Sequence, residues 1–598
     1  MAATYKAPLR EMRFVMNELF DGGTLHTLPT YEDMTPDVLD AVLEEAAKVC
    51  EEVLYPLNRS GDEEGCFLEN GVVRTPSGFK EAYKTFCEGG WASLSCSPEY
   101  GGQGMPKLLG SLVEEMMCSA NLSFGMYPGL THGAYIALEA FGMPEQKELY
   151  LSKLTSGEWS GTMCLTEPQC GTDLGMIRTR AEPVGDGSHK ITGTKIFISA
   201  GEHDLTENIV HLVLAKLPSA PEGTRGISMF VVPKFLPDSA GKPGQRNGVV
   251  CGSIEHKMGI KASSTCVMNF DDAIGWLVGE PHKGMKAMFT MMNTERIAVG
   301  VQGLGLGEAS YQGAVEYARD RLQGRSLTGT KQPNEAADPI LVHPDIRKML
   351  LTQRATMEGS RALIAWISHA LDLSTTHPDP EVRQEAEDLV ALMTPIVKAF
   401  ITDLGSEATN LGVQVYGGHG YVREWGMEQY VRDARIAQIY EGANGIQALD
   451  LVGRKMPAFM GRYLRRFFHP VSAYIAEKGE DETMEEFVMP LAKSFTRLQQ
   501  ATGFVAQKGL ANRDEAGAAA SDFLRLFGLT ALAYLWCRSV DVAREKLQQT
   551  DCQEKTFYEA KVATARFFMQ RVLPQTGALF SGIMSGAGSL MNFPDDAF

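Results

Sequence analysis

Paired cysteines are missing from this chain. Its eleven cysteines, an odd number, are scattered from Cys50 to Cys552 without a C-x-x-C pair. That argues against a disulfide framework or a zinc knuckle, and no metal is expected; reduced thiols in a cytoplasmic setting fit better. Basic charge is also scarce: 56 Lys and Arg against 74 Asp and Glu give a net charge of −18. Such a surface repels nucleic acid and anionic lipid, so no nucleic-acid partner is expected and membrane association is disfavoured. An anionic ligand must then be held by local donors such as backbone N–H groups. Long apolar runs are absent as well: the most apolar late stretch, Leu526 to Cys537, is about half of what a bilayer requires. The opening residues, MAATYKAPLREMRF, carry charges throughout and lack the apolar core of a signal peptide. A soluble, cytoplasmic protein is expected.

What is present is globular. Hydrophobic residues make up 44% and charged residues 22% of the 598 positions, which excludes a disordered chain and suggests about three to five domains or lobes. Residues 1–160 read as helical. In TPDVLDAVLEEAAKVCEEVLYPLN apolar residues recur every three or four positions, behind Thr35 as N-cap and Pro36 at the first helical position. From 161 to 283, Val-, Ile- and Phe-rich runs (HKITGTKIFISAG, NIVHLVLAKL, GISMFVVPK, TCVMNFDDA) alternate with Gly, Pro and Asp clusters, as in a small antiparallel sheet or barrel. PDSAGKPGQRNG (237–248) reads as a polar loop within it. Helical patterns return over 284–455 and again over 456–598, the last broken at HPVSAYIAEKGEDE and QKGLANRDEAG. The expected class is α+β.

Four segments carry chemical information. Cys164-Leu165-Thr166-Glu167-Pro168-Gln169-Cys170-Gly171-Thr172-Asp173 could present N–H donors to a phosphate or a flavin edge, although taken alone it reads better as an ordinary Pro-Gly turn with a capping Thr. Lys195-Ile196-Phe197-Ile198-Ser199-Ala200-Gly201 is a strand that could lie against a planar ring, or simply one with a buried Phe. Gln414-Val415-Tyr416-Gly417-Gly418-His419-Gly420-Tyr421 is a loop of close backbone approach or a helix C-cap and turn. In Ile439-Tyr440-Glu441-Gly442-Ala443-Asn444-Gly445 a carboxylate precedes Gly in an apolar stretch, a setting that raises a carboxylate toward a useful base, although a solvated Glu at a helix end reads it equally well. Gly303-Leu304-Gly305-Leu306-Gly307 lacks the G-x-G-x-x-G spacing and a preceding strand, so helix–helix packing explains it better.

Together, in this order and spacing, the four segments resemble the acyl-CoA dehydrogenase family, and the tail resembles its long subclass. The resemblance implies a helical domain (1–160), a β-barrel-like domain (161–283), a four-helix bundle (284–455) and a further helical extension (456–598), with FAD as cofactor. It places Cys164, Leu165 and Thr166 along the flavin, with the Thr166 hydroxyl on its ring. Gly171 and Thr172 fall near the pyrophosphate, Thr172 also reaching substrate, and Phe197, Ile198 and Ser199 fall on the strand that covers the flavin. Arg321, Gln414, Gly417 and Gly418 would meet the FAD of a neighbouring subunit in a homodimer, and Ala443 would lie beside FAD. Glu441 matches the catalytic base, with Glu295, Arg296, Tyr440 and Gly442 around the substrate.

The implied reaction is α,β-dehydrogenation of an acyl-CoA to the trans-2-enoyl-CoA. The α-proton goes to Glu441 and the β-hydride to flavin N5, and electrons pass to electron-transferring flavoprotein. A thioester α-C–H is a weak acid, so its carbonyl oxygen needs preorganised donors; in the family these are the base's own N–H and a ribityl hydroxyl. An oxidase using dioxygen and a non-catalytic acyl-CoA-binding scaffold are the alternatives. Four positions depart from the family pattern: Cys170 for a smaller residue, Ala443 for Thr, Pro344 for Gln, and no Phe after the bundle arginine. Glu295 stands where isovaleryl-type members place their base, but Glu441 keeps the complete Y-E-G context. Arg296 reads equally as a contact to the CoA phosphates and as part of a surface ion pair.

Overall fold

The structure, a computed structural model, describes residues 4–20 and 22–598. The chain divides into two compact units: one comprises the segment up to Glu44 with Pro106–Glu115 and Val299–Phe598, the other Glu45–Met105 with Met116–Ala298.

The second unit is built around a barrel. Its strands are β1 (Phe67–Glu69), β2 (Val72–Arg74), β3 (Trp159–Cys164), β4 (Arg180–Pro183), β5 (Ser188–Ser199), β6 (Asn208–Lys216), β7 (Ile227–Pro233), β8 (Phe235–Pro237), β9 (Pro243–Arg246), β10 (Val249–Ile254) and β11 (Thr265–Val278). Strand β11 pairs with β5, β5 with β4, β4 with β6, β6 with β7 and β7 back with β11, which closes a ring; β10 and β3 flank it. Strands β6 and β7 are buried along nearly their whole length, which explains why their sequences are mostly apolar on both faces rather than alternating.

Sequence patterning misjudged three details here. The sheet is mixed, because β3 runs parallel to β6 and a single parallel bridge, Arg180 with Lys216, joins β4 to β6. The polar loop at 237–248 contains one side of the β8–β9 hairpin. A further hairpin, β1–β2, interrupts the helical N-terminal region; its three-residue strands are too short for alternation to show.

The first unit is a stack of long helices, among them Pro344–Thr376, Pro380–Tyr416, Glu485–Ala511 and Arg513–Leu547. The glycine run at 303–307 does serve packing. A Cβ on Gly303 would stand 2.9 Å from the Ile401 carbonyl oxygen, and one on Gly405 would overlap the Gly303 backbone. The extension packs on the bundle in the same way, Gly359 facing Leu532 and Gly528 facing the Phe400 ring. Helices Pro380–Tyr421 and Arg513–Leu547 each hold an 18-residue window apolar enough to cross a bilayer, contrary to the sequence reading of the latter; 78% of each window is buried within the protein. Both breaks expected in the tail separate helices: the first at 479–484, between Arg462–Lys478 and Glu485–Ala511, and the second at Asn512. Helix Arg462–Lys478 runs through Pro470, whose ring lies on the exposed side, where the carbonyl it strands can reach water.

Buried charges brace this unit. Arg361, almost wholly buried, donates to Glu115 and, at 2.9 Å, to Glu308. Lys561 donates to Glu358 at 2.7 Å and to Glu11, and Arg354 donates to Glu358 at 2.7 Å. The N-terminal segment is thus clasped to helix Lys555–Phe567, with Arg10 also bonded to Glu554 at 2.8 Å and lying 3.8 Å from the Phe557 ring centre.

Candidate active site

In the second unit the first two motifs are neighbours. Ile196 N–H donates to the Thr166 carbonyl at 2.9 Å, so the Thr166 loop runs beside the end of β5. Glu167 is the hub of this corner. Its carboxylate accepts from Arg178 N at 2.7 Å, Thr179 N at 3.0 Å, Thr179 Oγ1 at 2.6 Å and Gln169 Nε2 at 2.6 Å. It also accepts from the buried Lys195 Nζ at 2.8 Å, which bonds the Leu165 carbonyl at 3.0 Å as well. Despite its burial, these donors hold the Glu167 carboxyl down at about 2. Glu167 and Cys170 exchange both backbone hydrogen bonds at 3.0 Å, closing the turn that carries Gly171 and Thr172 outward. The Glu and Lys of the two motifs are therefore structural, and sequence reasoning assigned them no role. A lysine directly before the apolar Ile196-Phe197-Ile198 was the available signal.

The face this corner presents suits a flat, polar-edged group. Phe197 adopts φ +59 and is 60% exposed, which rules out the buried-Phe reading; Ile198 is buried beside it and Ser199 half-buried. The half-buried Thr166 hydroxyl bonds to no described residue. Gly171 and Thr172 are exposed, and a Cβ on Gly171 would approach only the Thr166 methyl, at 4.0 Å. An aromatic face, a hydroxyl and an open backbone are what an isoalloxazine ring and its pyrophosphate require, so these residues fit FAD. Cys164 and Leu165 are buried behind them. Glu295 and Arg296, in helix Gly284–Asp320, are both buried, and Arg296 Nη1 lies 3.4 Å from Asn293 Oδ1. The surface ion-pair reading of Arg296 is thereby corrected. The Glu295 carboxylate packs against the backbone at Gly133, where a Cβ would stand 2.6 Å from its Oε1.

The first unit carries the other two motifs. Helix Pro380–Tyr416 ends on Gly417 at φ +59, whose N–H caps back to the Gln414 carbonyl. Gln414, Gly417 and Gly418 are exposed, with open space where a Cβ on either glycine would stand. Beside them Tyr317 stacks on Tyr416 at 4.1 Å and His419 on Trp425 at 4.2 Å, and the Tyr317 hydroxyl meets His419 Nδ1 at 2.9 Å. His419 thus lines a cleft of about 160 Å³ with Tyr317, Trp425 and the exposed Arg321.

Glu441 sits at φ +54 and Gly442 at φ +89, between a short turn of helix and helix Asn444–Asp450. A left-handed non-glycine residue is strained, and such strain persists only where the surroundings impose it. Gln447 Nε2 donates to the Glu441 and Gly442 carbonyls at 3.2 and 3.4 Å, and the Tyr440 hydroxyl donates to Gln302 Oε1. Ala443 is the N-cap of the following helix and offers no side-chain cap, as its substitution for Thr implies. Pro344 is the first residue of helix Pro344–Thr376, where proline costs nothing.

Family models match along almost the whole chain: acyl-CoA dehydrogenase N-terminal domain at residues 37–158, middle domain at 162–273, C-terminal domain at 282–456, and acetyl-CoA dehydrogenase C-terminal-like domain at 467–594. The 3-methylmercaptopropionyl-CoA dehydrogenase of Ruegeria pomeroyi is 45% identical over 98% of this chain and 99% of its own. The broad-specificity linear acyl-CoA dehydrogenase FadE5 of Mycobacterium tuberculosis is 32% identical over 99% and 100%. Among solved structures, Caenorhabditis elegans ACDH-11 in complex with C11-CoA matches with a TM-score of 0.77 at 18% identity, over 95% of this chain and 92% of that one. With relatives of this similarity spanning the full length, the chain belongs to the acyl-CoA dehydrogenase family, FAD-dependent oxidoreductases.

Proposed function

We propose that the protein dehydrogenates an acyl-CoA thioester across its α,β bond, with Glu441 as the base. The observation that carries this reading is the strained, braced loop at Glu441–Gly442: a half-buried carboxylate at φ +54 followed by a residue without a side chain. Gly442 leaves room for a thioester to approach, and the backbone N–H of Glu441 is the donor proposed for its carbonyl oxygen. Charge developing on that oxygen in the transition state is stabilised there, which makes the α-proton transferable to the Glu441 carboxylate. FAD, when bound, supplies the two-electron acceptor for the β-hydrogen. Thr166, Gly171, Thr172, Phe197, Ile198 and Ser199 hold it in the second unit, and Arg321, Gln414, Gly417 and Gly418 meet the adenosine half from a second copy in a homodimer. Cys164, Leu165 and Ala443 line it; Thr172, Glu295, Arg296, Tyr440 and Gly442 bound the substrate. The product is a trans-2-enoyl-CoA, and electron-transferring flavoprotein is the electron acceptor in a cytoplasmic setting.

The test is Glu441→Gln. Removing a general base costs about 10²–10⁴-fold, so turnover should fall below about a tenth of wild type while FAD content stays unchanged. A variant retaining more than that transfers the role to another carboxylate, Glu295 first. An anaerobic titration with saturated thioesters of graded length, including 3-methylmercaptopropionyl-CoA, identifies the substrate class by which of them bleach the flavin.

A further inference from the structure

We propose that Lys398 is the positioning residue for the catalytic loop. It clamps Gly442 and Asn444 from behind, so that the Lys398 helix, together with Gln447, fixes Glu441. This rests on the reading of Glu441 as base and deepens it.

Lys398 lies in the most apolar part of helix Pro380–Tyr416, flanked by the buried Ile396, Val397, Ala399 and Phe400, and is itself wholly buried. An ammonium in such a place is costly unless its donors are satisfied. Its Nζ donates to the Gly442 carbonyl and to Asn444 Oδ1, both at 2.8 Å. The same helix face continues the clamp. Asn444 Nδ2 donates to the Ala399 carbonyl at 3.1 Å, Thr402 Oγ1 at 3.0 Å and Asp403 Oδ1 at 2.8 Å, and Asp403 Oδ1 also accepts from Gln438 Nε2 at 2.6 Å. Glu441 is therefore tied on both sides, through Gln438 three residues before it and Gly442 and Asn444 just after it. The loop needs this help. Glu441 and Gly442 are consecutive left-handed residues, and Ala443 contributes no side-chain bond to the turn.

The test is Lys398→Met in the FAD-loaded enzyme, with Glu441→Gln alongside. A base displaced by about an ångström loses about 100-fold in rate. Turnover of Lys398→Met is therefore expected to fall by that order, with KM within about threefold and FAD content unchanged. Hydrogen exchange of the peptide spanning 436–447 should accelerate in the substrate-free protein, a readout independent of turnover. A folded Lys398→Met enzyme with turnover within about threefold of wild type and unchanged exchange overturns the proposal. If Lys398→Met does not fold, Asn444→Ala decides: it keeps the bond to Gly442 and removes the other acceptor. Lower turnover with faster exchange then supports the clamp, and wild-type values for both overturn it. High activity in Glu441→Gln removes the base assignment alone, because the exchange measurement still reports whether Lys398 holds the loop.

Discussion

Replacing Glu167 by Gln should unlatch the corner that presents Thr166 and Phe197. The five donors on its carboxylate leave a buried ammonium, Lys195, that depends on it. The fall of its carboxyl from 4.5 to about 2 corresponds to about 3 kcal/mol of preference for the ionised form in the fold. Breaking a buried ion pair by removing one partner costs about 3–5 kcal/mol, so the two routes agree. For a unit of this size the thermal midpoint should drop by roughly 6–15 °C, measured by calorimetry on the FAD-stripped protein at pH 7. Because the folded carboxyl is depressed, this stability is fully present above about pH 4.5 and is lost as pH falls toward about 2. Fluorescence titration with FAD should show weakened binding, since the Thr166 loop and the Gly171 turn both hinge on Glu167. The double variant Glu167→Leu with Lys195→Met should recover part of the loss, because it leaves no unpaired charge. A midpoint within about 2 °C of wild type in Glu167→Gln would refute the assignment of Glu167 as the hub.

Two further outcomes follow from packing and burial. Gly405→Ala would place a methyl into the Gly303 backbone; rigid backbone cannot yield as a side chain can, so loss of soluble, folded protein or a cost of about 1–3 kcal/mol or more is expected by denaturant titration. Asp372, buried while accepting from Lys107 N, Leu108 N and Tyr31 OH, is pushed up to about 6 by that burial. A raised carboxyl favours the fold most at low pH and loses that contribution as pH rises through about 6. Asp372→Asn should therefore flatten the decline in thermal midpoint between pH 5 and 7.5, and an unchanged slope counts against the shift.

What the sequence showed and what it hid divide along physical lines. The Thr166, Phe197, Gly417 and Glu441 segments were legible because each has its unusual residues adjacent in the chain, and the glycine run at 303–307 because its spacing excluded a nucleotide loop. Glu167 and Lys195 stood inside recognised segments yet drew no attention, since their partnership spans two motifs 28 residues apart. Lys398 belongs to no motif: its partners lie 44 and 46 residues away. One cue was available, a single charge within the apolar run PIVKAF, and buried lone charges repay suspicion. The parallel pairing of β3 with β6 was invisible because alternation reports which face is buried, not which way a neighbour runs.

The clasp between Glu11 and Lys561 joins residues 550 positions apart. A ribosome adding about 5–20 residues per second therefore completes that partner roughly half a minute to two minutes after the N-terminal segment emerges. Throughout that interval Phe14, which meets Phe557 at 5.7 Å in the finished fold, has no site in which to bury. The residues of the barrel unit, the last of which is Ala298, are all in place well before that interval ends; the helical unit cannot be finished until Lys561 has been added. Its first helix must be kept from other apolar surfaces until then, which makes the order of synthesis, and not only the final packing, a determinant of yield.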